Sequence, residues 1–251
     1  MNARLLTTGF ATAYENMAID EAILIHAQEN PQVTLRLYGW NPSAISIGYF
    51  QSLKEEVDLA KCKKYQTDYI RRITGGGAVF HDDEVTYSLI APIDGILIPK
   101  NILMSYKKIC QGVIEGLKTF GVVSQFIPLN DIISSGKKIS GNAQTRKNNV
   151  LLQHGTILLK VDVEKMFSLL KVPNEKLKNK IIKDVKQRVI GIQDLLGKKI
   201  SFEACQKALI YGFQKSLKFN YVKMPLSSSE ILLVKKLEEQ KYRSDKWNHQ
   251  R

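Results

Sequence analysis

Three consecutive glycines, Gly75, Gly76 and Gly77, follow the paired cations Arg71 and Arg72, and the chain turns apolar again at Ala78, Val79 and Phe80. Such a run would weaken the interior of a helix or strand, so it belongs between elements, where its backbone freedom is used. A loop of this kind can lie against a ligand with its N–H groups converging on an anion. The two guanidinium groups bring the fixed charge that a phosphate or carboxylate needs. The competing reading is a tight turn with two solvated arginines.

The chain has 251 residues, 44% of them hydrophobic and 24% charged, a globular composition with room for one large domain or a domain plus an appendage. No apolar run is long enough to span a bilayer. Met1 to Leu6 lacks the apolar core and cleavage site of a secretory signal. Cys62, Cys110 and Cys205 are odd in number and far apart, which argues against a disulfide framework or a zinc cluster and fits a cytoplasmic protein. The net charge of +13 admits a nucleic acid, an acidic protein partner or plain solubility. That charge is spread along the chain, with no Arg-rich tail and no groove-reading pattern. Its densest stretch, Lys171 to Arg188, also reads as a solvated helix face.

Periodicity predicts helices over Tyr14–Ala27, Lys54–Lys64, Ile102–Phe120, Val163–Leu170, Pro173–Lys183, Phe202–Leu217 and Ser229–Tyr242. Strand patterns cover Val33–Tyr38, Ala44–Gly48, Asp68–Arg72 and Val85–Ile90. Short strands and turns follow: Val122–Ile127, Lys137–Ser140, Val150–Gln153 and Thr156–Lys160. This is an α+β pattern, a mixed sheet with helices packed on it. The stretch Pro225 to Ser229 is the best linker candidate, and it sets off only a helical tail over about residues 226–251. One catalytic domain over residues 1–251 is expected, with no C-terminal accessory domain.

Two further segments carry chemistry. Asn130 and Asp131 precede Lys138-Ile139-Ser140-Gly141, and on a strand Lys138 and Ser140 share a face while Gly141 lets backbone approach a ligand. A lysine so placed grips a carboxylate or offsets charge building on a reacting acyl phosphate. His154, with Gly155 and Thr156 behind it, opens a strand that would line a pocket. Against these stand the ordinary readings of an exposed turn lysine and a structural histidine.

Together the three segments resemble the lipoate–protein ligase family within the biotin/lipoate ligase fold, whose catalytic domain is class II synthetase-like. The resemblance rests on Arg71-Arg72-x-Thr74-Gly75-Gly76-Gly77-Ala78-Val79-Phe80-His81-Asp82, on Lys138-x-Ser140-Gly141-x-Ala143 and on His154-Gly155-Thr156-x-Leu158-Leu159. Flanking runs such as Ser46-Ile47-Gly48-Tyr49-Phe50-Gln51 also look alike, so it covers nearly the whole chain. It implies activation of lipoate with ATP and Mg2+ to lipoyl-AMP, then transfer to a lysine of an acidic lipoyl carrier domain, an E2 subunit or an H protein. It also implies site residues. Lys138 would be catalytic, contacting the lipoyl carbonyl and α-phosphate. Arg71, Arg72 and the loop Gly75, Gly76, Gly77 and Ala78 would hold the acyl-adenylate. Asn130 and Asp131 would lie near nucleotide and metal, with Asp131 the metal ligand. His81, Ser140, Gly141, His154, Gly155 and Thr156 would line the pocket, and Val79 and Tyr38 would wall the acyl chain.

The resemblance is strained in two places. Many such ligases carry a C-terminal accessory domain, and some use a separate small accessory protein instead, which this chain would then need. The chain is also similar to the octanoyltransferases of the same fold, which need no ATP and pass octanoyl from acyl carrier protein through a cysteine thiolate to a lysine. Neither Ser124–Lys137 nor Val172–Glu175, where such a cysteine would lie, contains one. Because a lost nucleophile is costly, the expectation here is the ligase, with octanoyl transfer as the alternative. A biotin ligase and a non-catalytic nucleic-acid-binding scaffold are more distant readings. Neither nucleic acid nor membrane is expected as a partner.

Overall fold

The computed structural model describes residues 2–172 and 177–251. Its strands are β1 (Asn2–Ala11), β2 (Thr34–Trp40), β3 (Ala44–Ile47), β4 (Asp68–Arg71), β5 (Val79–His81), β6 (Glu84–Pro92), β7 (Gln125–Ile127), β8 (Asp131–Ser134), β9 (Lys137–Lys147), β10 (Val150–Leu158) and β11 (Asn220–Lys223). Its helices are α1 (Ala13–Glu29), α2 (Leu53–Glu56), α3 (Leu59–Lys64), α4 (Ile102–Leu117), α5 (Val163–Leu169), α6 (Lys178–Arg188), α7 (Ile192–Leu196), α8 (Phe202–Leu217), α9 (Ser228–Leu237) and α10 (Asp245–Asn248).

The large sheet runs β11-β1-β2-β6-β10-β9-β8-β7, and a small one runs β4-β3-β5. β1 is parallel to β2 and β11, while the ladder from β2 through β10 to β7 is antiparallel. The α+β expectation holds. Alternation on β2 explains how both faces are filled. Leu35 and Leu37 join Tyr87, Ile109, Val113, Leu209 and Phe213 under α4 and α8. Tyr38 and Trp40 face the other way, with Met17, Ala22, Ile23 and Val234 under α1 and α9. Full burial of each large apolar side chain contributes about 1.5–3 kcal/mol.

α1 begins where the Thr12 hydroxyl accepts from the Glu15 N–H. It buries Asn16, Asp20 and Glu21 as well as its apolar residues, so it carries polar groups into the interior. The Asp20 carboxylate accepts from Arg36 at 2.7 Å, Ser88 at 2.6 Å and Tyr38 at 3.1 Å. The C-terminal segment carries α9 and α10 and packs through buried polar pairs. Arg4 and Glu230 form a bidentate buried pair at 2.7 and 2.8 Å, and Lys241 and Tyr242 both donate to Glu21.

Several boundaries depart from the sequence pattern for identifiable reasons. The helix expected over Lys54–Lys64 is two, because Val57 turns extended to pair with Leu170 and Asp58 then caps α3. The short segments expected between Lys137 and Lys160 are two long strands. Their turn-like residues Asn142, Gln144 and Gln153 sit mid-sheet, where Gln144 donates to Gln153 at 3.0 Å and Tyr87 donates to Asn142 at 2.6 Å. The first four residues of the expected Pro173–Lys183 helix lie outside the described residues, Leu177 precedes α6, and Lys178–Lys183 falls in it. No helix among the described residues is long and apolar enough to cross a membrane.

Candidate active site

β10 lies between β6 and β9, and the glycine loop, which joins β4 to β5 of the small sheet, meets the middle of β10 where Thr74 touches His154. Between them is a cavity of about 170 Å³. Its deep part is walled by Tyr38, Trp40, Ser46, His81 and Thr86, and its mouth by Lys138, Asn130 and the loop residues Gly76 and Gly77. Gly76 has φ +103°, a conformation that side-chain-bearing residues rarely adopt. Among the described residues the N–H groups of Gly76 and Gly77 donate to no protein acceptor, so they are free for a ligand oxygen. Gly155 has a different reason: a Cβ there would stand 2.0 Å from Asn142 Oδ1.

The two arginines ahead of the loop are structural. Arg71 is fully buried, and its guanidinium donates to the carbonyls of Gly48, Tyr49, Gln51, Trp247 and Asn248. This corrects the expectation that Arg71 holds a ligand, because every nitrogen of its fully buried fork donates to backbone. Arg72 borders the cavity but is likewise spent. It donates to the Gly75 and Gly77 carbonyls at 2.9 and 2.8 Å, to Ser46 O at 2.9 Å and to Thr74 Oγ1 at 3.1 Å. Burial pulls its pKa down to about 10, which still leaves it charged at neutral pH. Arg72 therefore braces the loop from behind.

Lys138 is the cation that reaches the cavity mouth. It is 37% exposed and pairs with Asp131 Oδ1 at 2.7 Å. Asn130 and Asn142 lock the two strands there by exchanging side-chain amide hydrogens for backbone carbonyls. The expected shared face of Lys138 and Ser140 fails, because the β8–β9 register shifts between Ile132 and Ile133. Ser140 is fully buried and takes no part in the cavity wall. Asp131 is engaged by Lys138, and no group of three His, Cys, Asp or Glu residues that could hold a metal occurs among the described residues. The expected metal role of Asp131 thus has no supporting donor set.

Two buried histidines each bridge a hydroxyl and a carboxylate. His154 Nε2 lies 2.8 Å from Thr74 Oγ1 and its Nδ1 lies 3.3 Å from Asp20 Oδ2. Burial pulls the His154 pKa down, only partly offset by Asp20, so the ring is neutral near pH 7. Burial pushes the Asp20 carboxyl up, but Arg36 and the hydrogen bonds from His154 and Ser88 outweigh it and hold it below its usual range. His81 Nε2 lies 2.7 Å from Ser46 Oγ and its Nδ1 lies 2.8 Å from Glu84 Oε1. Trp40 stacks on the His81 ring at 3.9 Å and 13°.

The cysteines are all free, fully buried and outside the cavity wall. Burial pushes Cys62 up to about 11 and Cys110 and Cys205 up to about 12, so none is a thiolate at neutral pH.

Of the residues expected from sequence, Arg72, Gly76, Gly77, Ala78, Val79, His81, Asn130, Lys138, Gly141, His154, Gly155 and Thr156 line the cavity, with Tyr38 in its wall. Arg71, Gly75, Asp131 and Ser140 do not. Met17, Trp40, Ser46 and Thr86 line it without having been expected. Ser46 was legible only as a strand residue and Trp40 fell beyond the expected end of its strand at Tyr38, since nothing local marks the side of a strand that meets a ligand.

Fold and cavity define a member of the biotin/lipoate ligase superfamily. Residues 12–214 match the lipoyl protein ligase A/B catalytic domain. The chain belongs to that family. It is 40% identical to the octanoyltransferase LipM of Clostridioides difficile, over 94% of each chain. It is 36% identical to that of Geobacillus kaustophilus, over 99% of this chain and 98% of the other. A solved bipartite lipoate protein ligase from Thermoplasma acidophilum, described with its E2 lipoyl domain, superposes with TM-score 0.91 at 31% identity, over 99% of this chain and 96% of that one. The chain is thus an enzyme of the lipoate ligase and octanoyltransferase family.

The expected ATP-dependent lipoate ligase activity is corrected by these relatives, which are octanoyltransferases over nearly the full chain. The ligase expectation leaned on one absent residue type, a cysteine beside the motifs, against a resemblance that runs through the whole flanks.

Proposed function

We propose that this enzyme transfers an octanoyl group from the thioester of an acyl carrier protein to the ε-amine of a lysine on a lipoyl carrier domain, without ATP. The observation that carries the reading is full-length similarity to octanoyltransferases at 36% and 40% identity. The carrier-domain half draws support from the structural neighbour described with its E2 lipoyl domain.

The cavity suits the chemistry. A thioester carbonyl entering it turns an sp² oxygen into an oxyanion when a nucleophile adds. The free amides of Gly76 and Gly77 and the Lys138 ammonium stand at the mouth to offset that charge. The apolar wall residues Tyr38, Trp40 and Val79 give an alkyl chain a seat, and burying it holds the carbonyl in place. The partner domain brings its lysine to the open end, where the net charge of +13 favours an acidic surface.

The test is a mass measurement on a lipoyl carrier domain incubated with enzyme and octanoyl-acyl carrier protein in the absence of nucleotide. One octanoyl group gained on the domain supports the reading. A gain only from free acid with Mg-ATP overturns it.

A further inference from the structure

Beside the reaction cavity lies a second, larger one of about 770 Å³, and the two meet at Gly76 and Asn130, which line both. Three segments wall it. The glycine loop supplies Gly76, the turn ahead of β8 supplies Leu129 and Asn130, and Lys100 leads into the first turns of α4 with Ile102, Leu103 and Tyr106. The mouth of the reaction cavity therefore continues outward along an apolar track.

This track leaves large apolar groups in water. Leu129 is 75% exposed, Ile102 59% and Leu103 39%, and Met104 follows at 53%. Apolar side chains exposed together and rimmed by polar groups mark a contact surface. The rim carries one sign of charge. From Gly95 to Asn130 the chain holds four lysines and one acid, Glu115, which lies near the other end of α4 and is engaged by Lys118 and Lys215. Lys100 stands in the track wall, and Lys107 sits one helical turn beyond Leu103 on the same face of α4. Asp94, just before this stretch, is turned to backbone and accepts from the N–H groups of Ile96, Leu97 and Ile98.

The backbone of the track is held in shape. Asn101 caps α4 by accepting from the Met104 N–H at 3.0 Å. Arg146 on β9 donates to the carbonyls of Pro99 and Lys100 and to Ser105 Oγ at 2.8 Å. The start of α4 is thereby fastened to the large sheet.

We propose that this track is the docking site of the acyl donor: it takes the phosphopantetheine arm of an acyl carrier protein, with the acidic body of that protein against Lys100 and Lys107. The inference rests on the octanoyl-transfer reading. With the octanoyl chain seated and the thioester carbonyl at the mouth, the arm leaves past Gly76 and Asn130, and the second cavity opens there. The chemistry of the arm matches its walls. Its methylenes and gem-dimethyl carbon bury apolar surface against Ile102, Leu103 and Leu129. Its terminal phosphodiester meets Lys100, and a lysine binds phosphate as a point charge. The uncompensated lysines of α4 then steer an acidic protein body and discriminate against a neutral or basic one.

The experiment compares three donors on the full chain: octanoyl-acyl carrier protein, octanoyl-coenzyme A, and the octanoyl thioester of N-acetylcysteamine, which lacks the phosphate end of the arm. Transfer to a lipoyl carrier domain is read as kcat and KM for wild type, Lys100→Glu, Lys107→Glu and Leu129→Asp. All three positions are exposed, and melting curves confirm that the variants fold. The expected result is a KM for octanoyl-acyl carrier protein raised about tenfold or more in each variant, with kcat little changed. The KM for the short thioester should stay within about twofold of wild type, since that donor never reaches the track. An unchanged KM for octanoyl-acyl carrier protein overturns the proposal. An equal loss with the short thioester also overturns it, because the residues would then shape the reaction cavity. So does a rise in the KM of the carrier domain in place of the donor's, which would give the surface to the acceptor. Octanoyl-coenzyme A used as well as the carrier protein, with Lys107→Glu indifferent, overturns it as well.

An amide-linked octanoyl-acyl carrier protein, which binds without reacting, separates this proposal from the transfer reading. If no thioester gives product but the analogue binds wild type about tenfold tighter than Lys100→Glu, the docking site stands and the transfer reading falls. If no thioester gives product and the analogue binds the two proteins alike or not at all, both fall.

Discussion

His154 Nε2 lies 2.8 Å from Thr74 Oγ1, a contact that ties the interior strand β10 to the start of the glycine loop. Thr74 Oγ1 also accepts from Arg72 Nε at 3.1 Å, and Arg72 in turn holds the Gly75 and Gly77 carbonyls. The loop's shape is therefore set from Asp20 outward, through His154, Thr74 and Arg72. Thr74→Val keeps the volume and removes the hydroxyl. It leaves buried donors unpaired and should cost about 1–3 kcal/mol in chemical denaturation. It should also raise the KM for the acyl donor, because the amides of Gly76 and Gly77 lose their placement. Unchanged KM and unchanged stability together would show that the loop holds itself.

Asp20 anchors the same chain and neutralises Arg36, with both side chains almost wholly out of solvent. Asp20→Asn leaves the Arg36 charge uncompensated and should destabilise the protein by about 3–5 kcal/mol. A loss under about 1 kcal/mol in urea titrations would mean that water or another group takes over the pairing.

Stability should fall on acidification in two stages. The folded pKa of His154 lies below its ordinary 6.5, so between those values the unfolded chain takes up a proton that the folded chain refuses. Stability is complete above 6.5 and declines as pH drops beneath it. Asp20 is held below its ordinary 3.8, so its contribution is lost only as pH falls through that lower range. Denaturation midpoints measured from about pH 8 to pH 5 should decline for the wild type and decline less for His154→Gln. Parallel curves for the two proteins would remove His154 from the account.

Lys138 makes the opposite prediction. It is 37% exposed and its ion pair with Asp131 is solvent-accessible, so Lys138→Ala should change stability by no more than about 0.5–1 kcal/mol. Octanoyl transfer should nonetheless fall by about 100-fold or more, since a preorganised charge at the developing oxyanion is lost. Steady-state rates and a melting curve on the same sample separate the two effects. Wild-type turnover in Lys138→Ala would take this lysine out of the mechanism.

The buried thiols should be silent in the folded state. With Cys110 and Cys205 pushed up to about 12 and Cys62 to about 11, a disulfide reagent at about pH 8 should react fully only after denaturant is added. Release of all three equivalents on unfolding, against little beforehand, is the expected titration. Rapid reaction of one thiol in the native protein, with loss of transfer, would reinstate a cysteine route.

How far the sequence could be read depended on the range of the interactions. The glycine loop, the lysine segment and the His154 strand are local patterns, and most of their residues do line one cavity. Helix α8 was legible from end to end because an amphipathic stripe and a Ser201 cap mark it. Strands β1 and β11 were not, since they form by pairing with partners far away in sequence, and nothing in Asn2–Ala11 alternates strongly. Arg71 misled for a related reason. A cation beside a glycine loop suggests an anion, but its five carbonyl partners come from residues near Gly48 and Trp247 that only the fold brings together. Ser46 is the same case reversed: an unremarkable strand serine whose place in the cavity wall comes with its contact to His81 on the paired strand β5.

The central claim is octanoyl transfer, and the most direct measurement is intact mass of a lipoyl carrier domain after incubation with this enzyme and octanoyl-acyl carrier protein, with no nucleotide present. A gain of one octanoyl group, lost in Lys138→Ala, is the predicted result. An unmodified domain under these conditions, together with modification from free acid and Mg-ATP, would contradict the account.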